Sequence, residues 1–153
     1  MRFFAIAIAT GVLMMTSAAD AAQPRPAVEH FGNPAINGRP LPFSEAVRVG
    51  DILYLSGQIG IGPDGKLPEG IDAQARQAMD NIGSVLNRAG LSYADVFHCT
   101  AFLADMKDWP AFNKVYVPYF PAGKMPARSA FGANGLALGA KLEIECQAYA
   151  GKK

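Results

Sequence analysis

Histidine is scarce in this chain: 153 residues contain only His30 and His98. A Ser-His-Asp triad or a histidine-built metal centre has little to draw on, and His98, at a strand position, reads as a packing or interface residue. Cysteine is as scarce. Cys99 and Cys146 stand far apart with no C-x-x-C pattern, which argues against a structural zinc site. Neither sign of charge dominates, with 14 Lys and Arg against 13 Asp and Glu. Broad electrostatic capture of nucleic acid or of an anionic membrane is therefore not expected. No apolar run reaches the ~20 residues that cross a bilayer, and no repeat or low-complexity tract is evident.

What is present is a chain half hydrophobic in composition, long enough for one domain with a sizeable core and not for two. Its start reads differently from the rest. Arg2 opens an apolar run from Phe3 to Met15, and Ser17, Ala18, Ala19, Ala21 and Ala22 follow before Gln23-Pro24. That order predicts a secretory signal over residues 1–22, cleaved at an Ala19-x-Ala21 type site, with the mature protein periplasmic or secreted and without stable membrane association. Losing Arg2 and Asp20 leaves 13 positive against 12 negative, still +1. Residues 23–42, with prolines at 24, 26, 34, 40 and 42, read as an extended arm or irregular lead-in, and residues 43–151 as the folded domain. In an oxidising compartment Cys99 and Cys146 could bridge; spacing alone cannot bring them together, so two small buried hydrophobes are expected, with the bridge as the alternative.

From Phe43 the periodicity sharpens. Ala46–Val49 and Ile52–Ser56 flank Gly50-Asp51, which predicts a hairpin. In 72–89, Ala75, Ala78, Met79, Ile82, Val85, Leu86 and Ala89 recur at three- and four-residue steps, predicting a helix with one buried face that ends at Gly90. Val96–Leu103 reads as a strand, Asp108 as a cap before a second helix opening with Trp109-Pro110, and Pro118 as the point where that helix stops. Leu142–Ala150 alternates, with Leu142, Ile144, Cys146 and Ala148 on one face and Glu143, Glu145, Gln147 and Tyr149 on the other. The order β-β-α-β-α-β predicts an α+β domain, a mixed sheet with two helices on one face. The polar opposite face is expected to be a subunit interface with clefts at its margin.

The chemistry concentrates late in the chain. Arg128 follows Pro126-Ala127, and Glu143 sits on the last strand. Arginine offers a planar charged fork that holds a carboxylate bidentately, and a strand glutamate can aim an oxygen at water beside it. The pair predicts a pocket for a small carboxylate. Gly60-Ile-Gly-Pro-Asp-Gly65 matches the dinucleotide G-x-G-x-x-G pattern formally, but it is a turn followed by Pro68 and Gly70 and opens no helix at the third glycine, so no phosphate loop is expected. Trp109, Phe112, Tyr116, Tyr119 and Phe120 read as core.

Leu55-Ser-Gly-Gln-Ile59, Ala73-Gln-Ala-Arg-Gln77, Asp80-Asn-Ile82, Ala89-Gly-Leu91, Phe112-Asn-Lys-Val-Tyr116, Pro126-Ala-Arg-Ser129 and Leu142-Glu-Ile-Glu145 occur in the same order as in the YjgF/RidA family. Over about 43–150 the chain resembles these reactive intermediate deaminases, whose older name is L-PSP endoribonuclease. The resemblance implies a chorismate-mutase-like fold, a homotrimer with ligand clefts between subunits, and hydrolysis of 2-imino or 2-enamino acids to 2-oxo acids and ammonia without metal or organic cofactor. It implies that Arg128 grips the substrate carboxylate, Glu143 orients water and shuttles its proton, and Ser56, Asn113 and Phe43 line the cleft. The chain departs from the family at Phe43, where many members carry tyrosine, at Ala130, where the deaminase branch often has cysteine, and over Phe131–Gly139, a glycine- and alanine-rich loop. Non-catalytic binding of a small carboxylate or a protein partner in the same clefts is the alternative, and RNA cleavage a distant third.

Overall fold

The computed structural model describes residues 25–32, 35–36 and 38–152; the expected leader, 1–22, lies outside them. Within the lead-in, where an extended or irregular arm was expected, β1 (Val28–Phe31) is a strand of the main sheet. β2 (Ala35–Ile36) and β3 (Arg39–Pro40) form a separate small hairpin. β4 (Ala46–Val49) and β5 (Ile52–Leu55) are the expected antiparallel pair, and Gly50 takes φ +59° in the turn between them, a conformation glycine adopts without steric cost. β6 (Gln58–Ile59) is followed by α1 (Ile71–Arg88). Its seam of Ala75, Ala78, Met79, Ile82, Val85 and Leu86 is buried, as the three- and four-residue spacing requires. Gly90, at φ +73°, and a hydrogen bond from Leu91 N to Leu86 O close the helix in a Schellman arrangement.

β7 (Val96–Leu103), α2 (Trp109–Tyr116), β8 (Ala127–Gly132) and β9 (Leu142–Tyr149) complete the chain. Asp108 makes no side-chain cap for α2. Instead Asp105 accepts from Lys107 N at 2.9 Å, starting the short 3-10 turn that runs into the helix, and Asp108 faces Lys141 at 3.9 Å. The helix gives way at Tyr116 to a 3-10 turn containing Pro118. The sheet runs β1-β4-β5-β9-β7-β8, with β6 also paired to β9; among the described strands only β7 and β8 are parallel, joined across α2. β8 is an addition to the expected order, occupying part of the stretch read as a loop.

Both helices contribute to one core with the sheet: Leu53, Cys99, Ala101, Leu103, Leu142, Ile144 and Cys146 face Met79, Ile82, Leu86, Phe112 and Tyr116. Phe112, Tyr116 and Phe120 are buried as expected, but Trp109 is 43% exposed. The cysteines also depart from expectation. They are register partners on β7 and β9 with Cα atoms 4.1 Å apart, and they form a disulfide. Strand pairing supplies the proximity that sequence spacing could not.

Candidate functional site

Register places the two expected site residues on opposite faces of one sheet. Arg128 is in the row Arg128–Cys99–Cys146, whose cysteines are buried against the helices. Glu143 is in the row Glu143–Phe102–Phe131 on the other face, where the two phenylalanine rings stack at 6.2 Å. Arg128 and Glu143 are two strands apart and three residues apart along the strand direction, roughly 10 Å in each direction at ordinary strand spacings. One chain therefore does not bring them to a common ligand, although the simple reading of the sequence put them in one pocket.

Arg128 is held firmly. Its guanidinium lies 4.5 Å from the Tyr116 ring centre and 5.2 Å from that of Phe112, and Nη2 donates to Asn113 Oδ1 at 2.7 Å. Phe112, Asn113 and Tyr116 are neighbours on α2, so the helix turns two ring faces and one acceptor toward the same cation. Stacking and the single side-chain hydrogen bond fix the plane of the fork. The Tyr116 hydroxyl is buried without a hydrogen-bond partner among the described residues, and burial pushes its pKa up to about 12, so it remains neutral.

Glu143 opens on a cavity of about 630 Å³. β9 aligns it with Ile59 of β6, and a Cβ on Gly57 would collide with its carboxylate; glycine is the residue that lets this backbone approach. Burial first, and the negative charge of Glu145 second, raise the Glu143 pKa above the ordinary glutamate value. Along one side the cavity is walled by Asn81, Ser84, Val85 and Arg88, residues that share a stripe of α1. Asn81 Nδ2 donates to Ile59 O and Ile61 O at 3.1 and 3.0 Å, tying the helix to the strand that adjoins Glu143. Arg88 is ion-paired with Glu45 at the same cavity. Phe43 and Leu138 form apolar parts of its lining.

The expected site residues thus divide into two groups: Glu143 with Phe43, and Arg128 with Asn113. Ser56 precedes Gly57, but its hydroxyl donates to Ser44 O at 2.7 Å, a bond that settles the strand end. Sequence reading missed Tyr116 as a support for Arg128, and missed Glu45, Arg88 and Leu138 as cavity residues. The only advance signal was that Asn81, Ser84 and Arg88 border the apolar stripe of α1 at helical spacing. Among the described residues no three His, Cys, Asp or Glu side chains cluster to hold a metal ion.

A strand carboxylate raised in pKa stands beside a cavity, and an aromatic-braced arginine stands on the opposite face of the same sheet. Known proteins place the chain in a family. The 2-iminobutanoate/2-iminopropanoate deaminase of Mus musculus is 41% identical over 112 residues, covering 72% of this chain and 82% of that protein. The crystal structure of RidA from an Antarctic Psychrobacter bacterium superposes with a TM-score of 0.69 at 38% identity, covering 76% of this chain and 92% of that one. The Escherichia coli TdcF structure with bound serine superposes with a TM-score of 0.70 at 32% identity, covering 76% and 94%. With residues 37–150 also matching the model of the endoribonuclease L-PSP family, the chain belongs to that family.

Proposed function

We propose that this protein hydrolyses 2-imino acids, and the enamines in equilibrium with them, to 2-oxo acids and ammonia. The observation that carries the reading is Glu143: a partly desolvated carboxylate with a raised pKa, at a cavity, in a chain 41% identical to a protein named for imine deamination. A general base of this kind is effective when its pKa approaches the working pH. The Glu143 carboxylate takes a proton from water as the water oxygen bonds to C2 of the imine and the C=N electron pair moves to nitrogen. The proton is then delivered to that nitrogen. Glu143 then carries the remaining hydroxyl proton to the amino nitrogen as the C–N bond breaks, so that ammonia leaves and the former water oxygen becomes the 2-oxo group.

Arg128 holds the substrate carboxylate through the N–H groups that Asn113 leaves unused. Because Arg128 and Glu143 lie on opposite faces, the complete site takes Arg128 and Asn113 from one subunit and Glu143, Phe43 and the Ser56-Gly57 corner from its neighbour in a homotrimer. The polar row of Glu143, Glu145 and Gln147 on the open sheet face, with exposed Tyr54, Phe131 and Tyr149 around it, supports burial of that face between subunits. The bound serine in the TdcF structure is a 2-amino carboxylate, of the ligand class proposed here. The core disulfide and the N-terminal leader pattern support work in a periplasmic or extracellular compartment.

Non-catalytic capture of a carboxylate in the same clefts is the alternative reading. Decay of freshly generated 2-iminobutanoate and 2-aminoacrylate, followed with the wild type and with Arg128→Ala, separates the two. Loss of a charge-assisted hydrogen bond should lower kcat/KM about 10- to 100-fold in the variant. A folded, trimeric wild type that leaves both decay rates unchanged would establish the binding reading instead.

A further inference from the structure

Within one chain, before a neighbouring subunit adds its Arg128, the cavity beside Glu143 is larger than a three-carbon imino acid needs. At about 630 Å³ it falls in the range that encloses ligands of drug size, roughly 300–1,000 Å³. It extends past Asn81 to Arg88, and seven residues of α1 advance about 10 Å at the helical rise. Its lining between those limits includes Leu41, Phe43, Ile59, Val85 and Leu138. Arg88, its one arginine, is already compensated by Glu45. The far end therefore offers a second substrate carboxylate no unmatched cation, and the apolar side chains between favour an apolar substituent over a charged one.

Leu138 is the most telling of these residues. It is 63% exposed and holds φ +57°, the only non-glycine residue with positive φ among those described. A leucine in that conformation costs about 1–2 kcal/mol relative to right-handed backbone. Strain of this kind gathers where a side chain has to be aimed, as at ligand clamps. Here the strained residue puts an apolar side chain in the cavity lining that Phe43 also forms, from a glycine-rich loop. Glycines at 135 and 139, at φ +96° and +72°, set the loop on either side.

We propose that this cavity is a side-chain subsite, with Leu138 as its specificity-determining residue, and that the protein prefers 2-imino acids bearing branched or aromatic apolar side chains over the two smallest. The proposal rests on the deaminase reading for its chemistry, but not for its binding. With C2 of the substrate at Glu143, the side chain runs along α1 between Phe43 and Leu138 and stops at the Arg88–Glu45 pair.

Two measurements test it. In the first, kcat/KM is compared for imino acids freshly generated from leucine and from alanine by an amino-acid oxidase. In the second, calorimetry gives the Kd of 4-methyl-2-oxopentanoate and of pyruvate, the corresponding products, so that binding is read without turnover. The leucine-derived ligand should lead by about 10-fold or more in both, the discrimination expected of added methylenes in an apolar pocket. Leu138→Gly should remove most of that ratio in both assays. The substitution also relieves a strained backbone, so thermal stability equal to or above wild type shows that the loss is not misfolding. Equal or reversed preference in product binding, or a ratio untouched by Leu138→Gly, overturns the subsite. A preference retained in binding with no turnover of any imine overturns the deaminase reading and leaves the subsite standing.

Discussion

At the scale of single residues, the protonation of Glu143 is the property on which the proposed reaction turns. Burial and Glu145 both raise its pKa above the ordinary 4.5, burial more. In the proposed reaction the carboxylate form is the base, so kcat/KM should fall on the acid side at a pH above that ordinary value. Glu145→Gln removes the like charge and leaves the desolvation. The acid limb should then move toward lower pH without reaching 4.5, as seen in a pH profile corrected for uncatalysed imine decay. A limb that stays in place would remove Glu145 from the electrostatics of the site. The same shift acts on stability with a definite sign. A native pKa above the unfolded one means that the folded state holds the proton longer, so this contribution is fully present below pH 4.5 and is lost as pH rises through the native pKa. In Glu143→Gln, stability should accordingly fall less steeply with pH across that window.

At the scale of elements, legibility followed periodicity. Both helices and β7 and β9 were readable because alternate or three-and-four spacing of buried side chains is written locally: β9 buries Leu142, Ile144, Cys146 and Ala148 in strict alternation. β8 was not, since Ala127–Gly132 holds no β-branched residue and pairs in parallel with β7 only after α2 has crossed over. β1 was obscured by surrounding prolines and by its largely exposed edge position. The Arg128 and Glu143 residue types were readable; their opposite faces were not, because an intervening loop resets the strand parity that relates them. The disulfide was missed for a related reason, as 47 residues of separation carry no register. That bond joins β7 to β9 within the core and closes a loop long enough for the chain-entropy effect to be appreciable. Reduction should lower unfolding stability by about 2–4 kcal/mol, read as a fall in urea midpoint with and without reductant. Coincident unfolding curves, with thiol titration showing the bridge closed in one sample and open in the other, would show the bond to be stabilising nothing.

At the scale of the whole molecule, the sheet separates the two halves of the proposed site by sending Arg128 toward the helices and Glu143 toward the open face. On the proposed reading, a single chain carries every residue of the site and still does not bring them to one ligand. If neighbouring subunits unite the halves, then an Arg128→Ala chain and a Glu143→Gln chain, each nearly inactive alone, are complementary. After the two are mixed, dissociated in denaturant and refolded together, a subunit boundary that draws its arginine from one variant and its glutamate from the other is wild type in both residues. Random assembly makes about a quarter of the boundaries of that kind in a cyclic oligomer, so activity should recover to roughly that fraction of wild type. Mixing without dissociation should recover nothing until subunits exchange, which excludes a trace of wild-type protein as the source. Refolded mixtures that remain as inactive as their components, while forming trimers by light scattering, would mean that each site draws Arg128 and Glu143 from one chain, and the arrangement of the sheet would have to change to permit it.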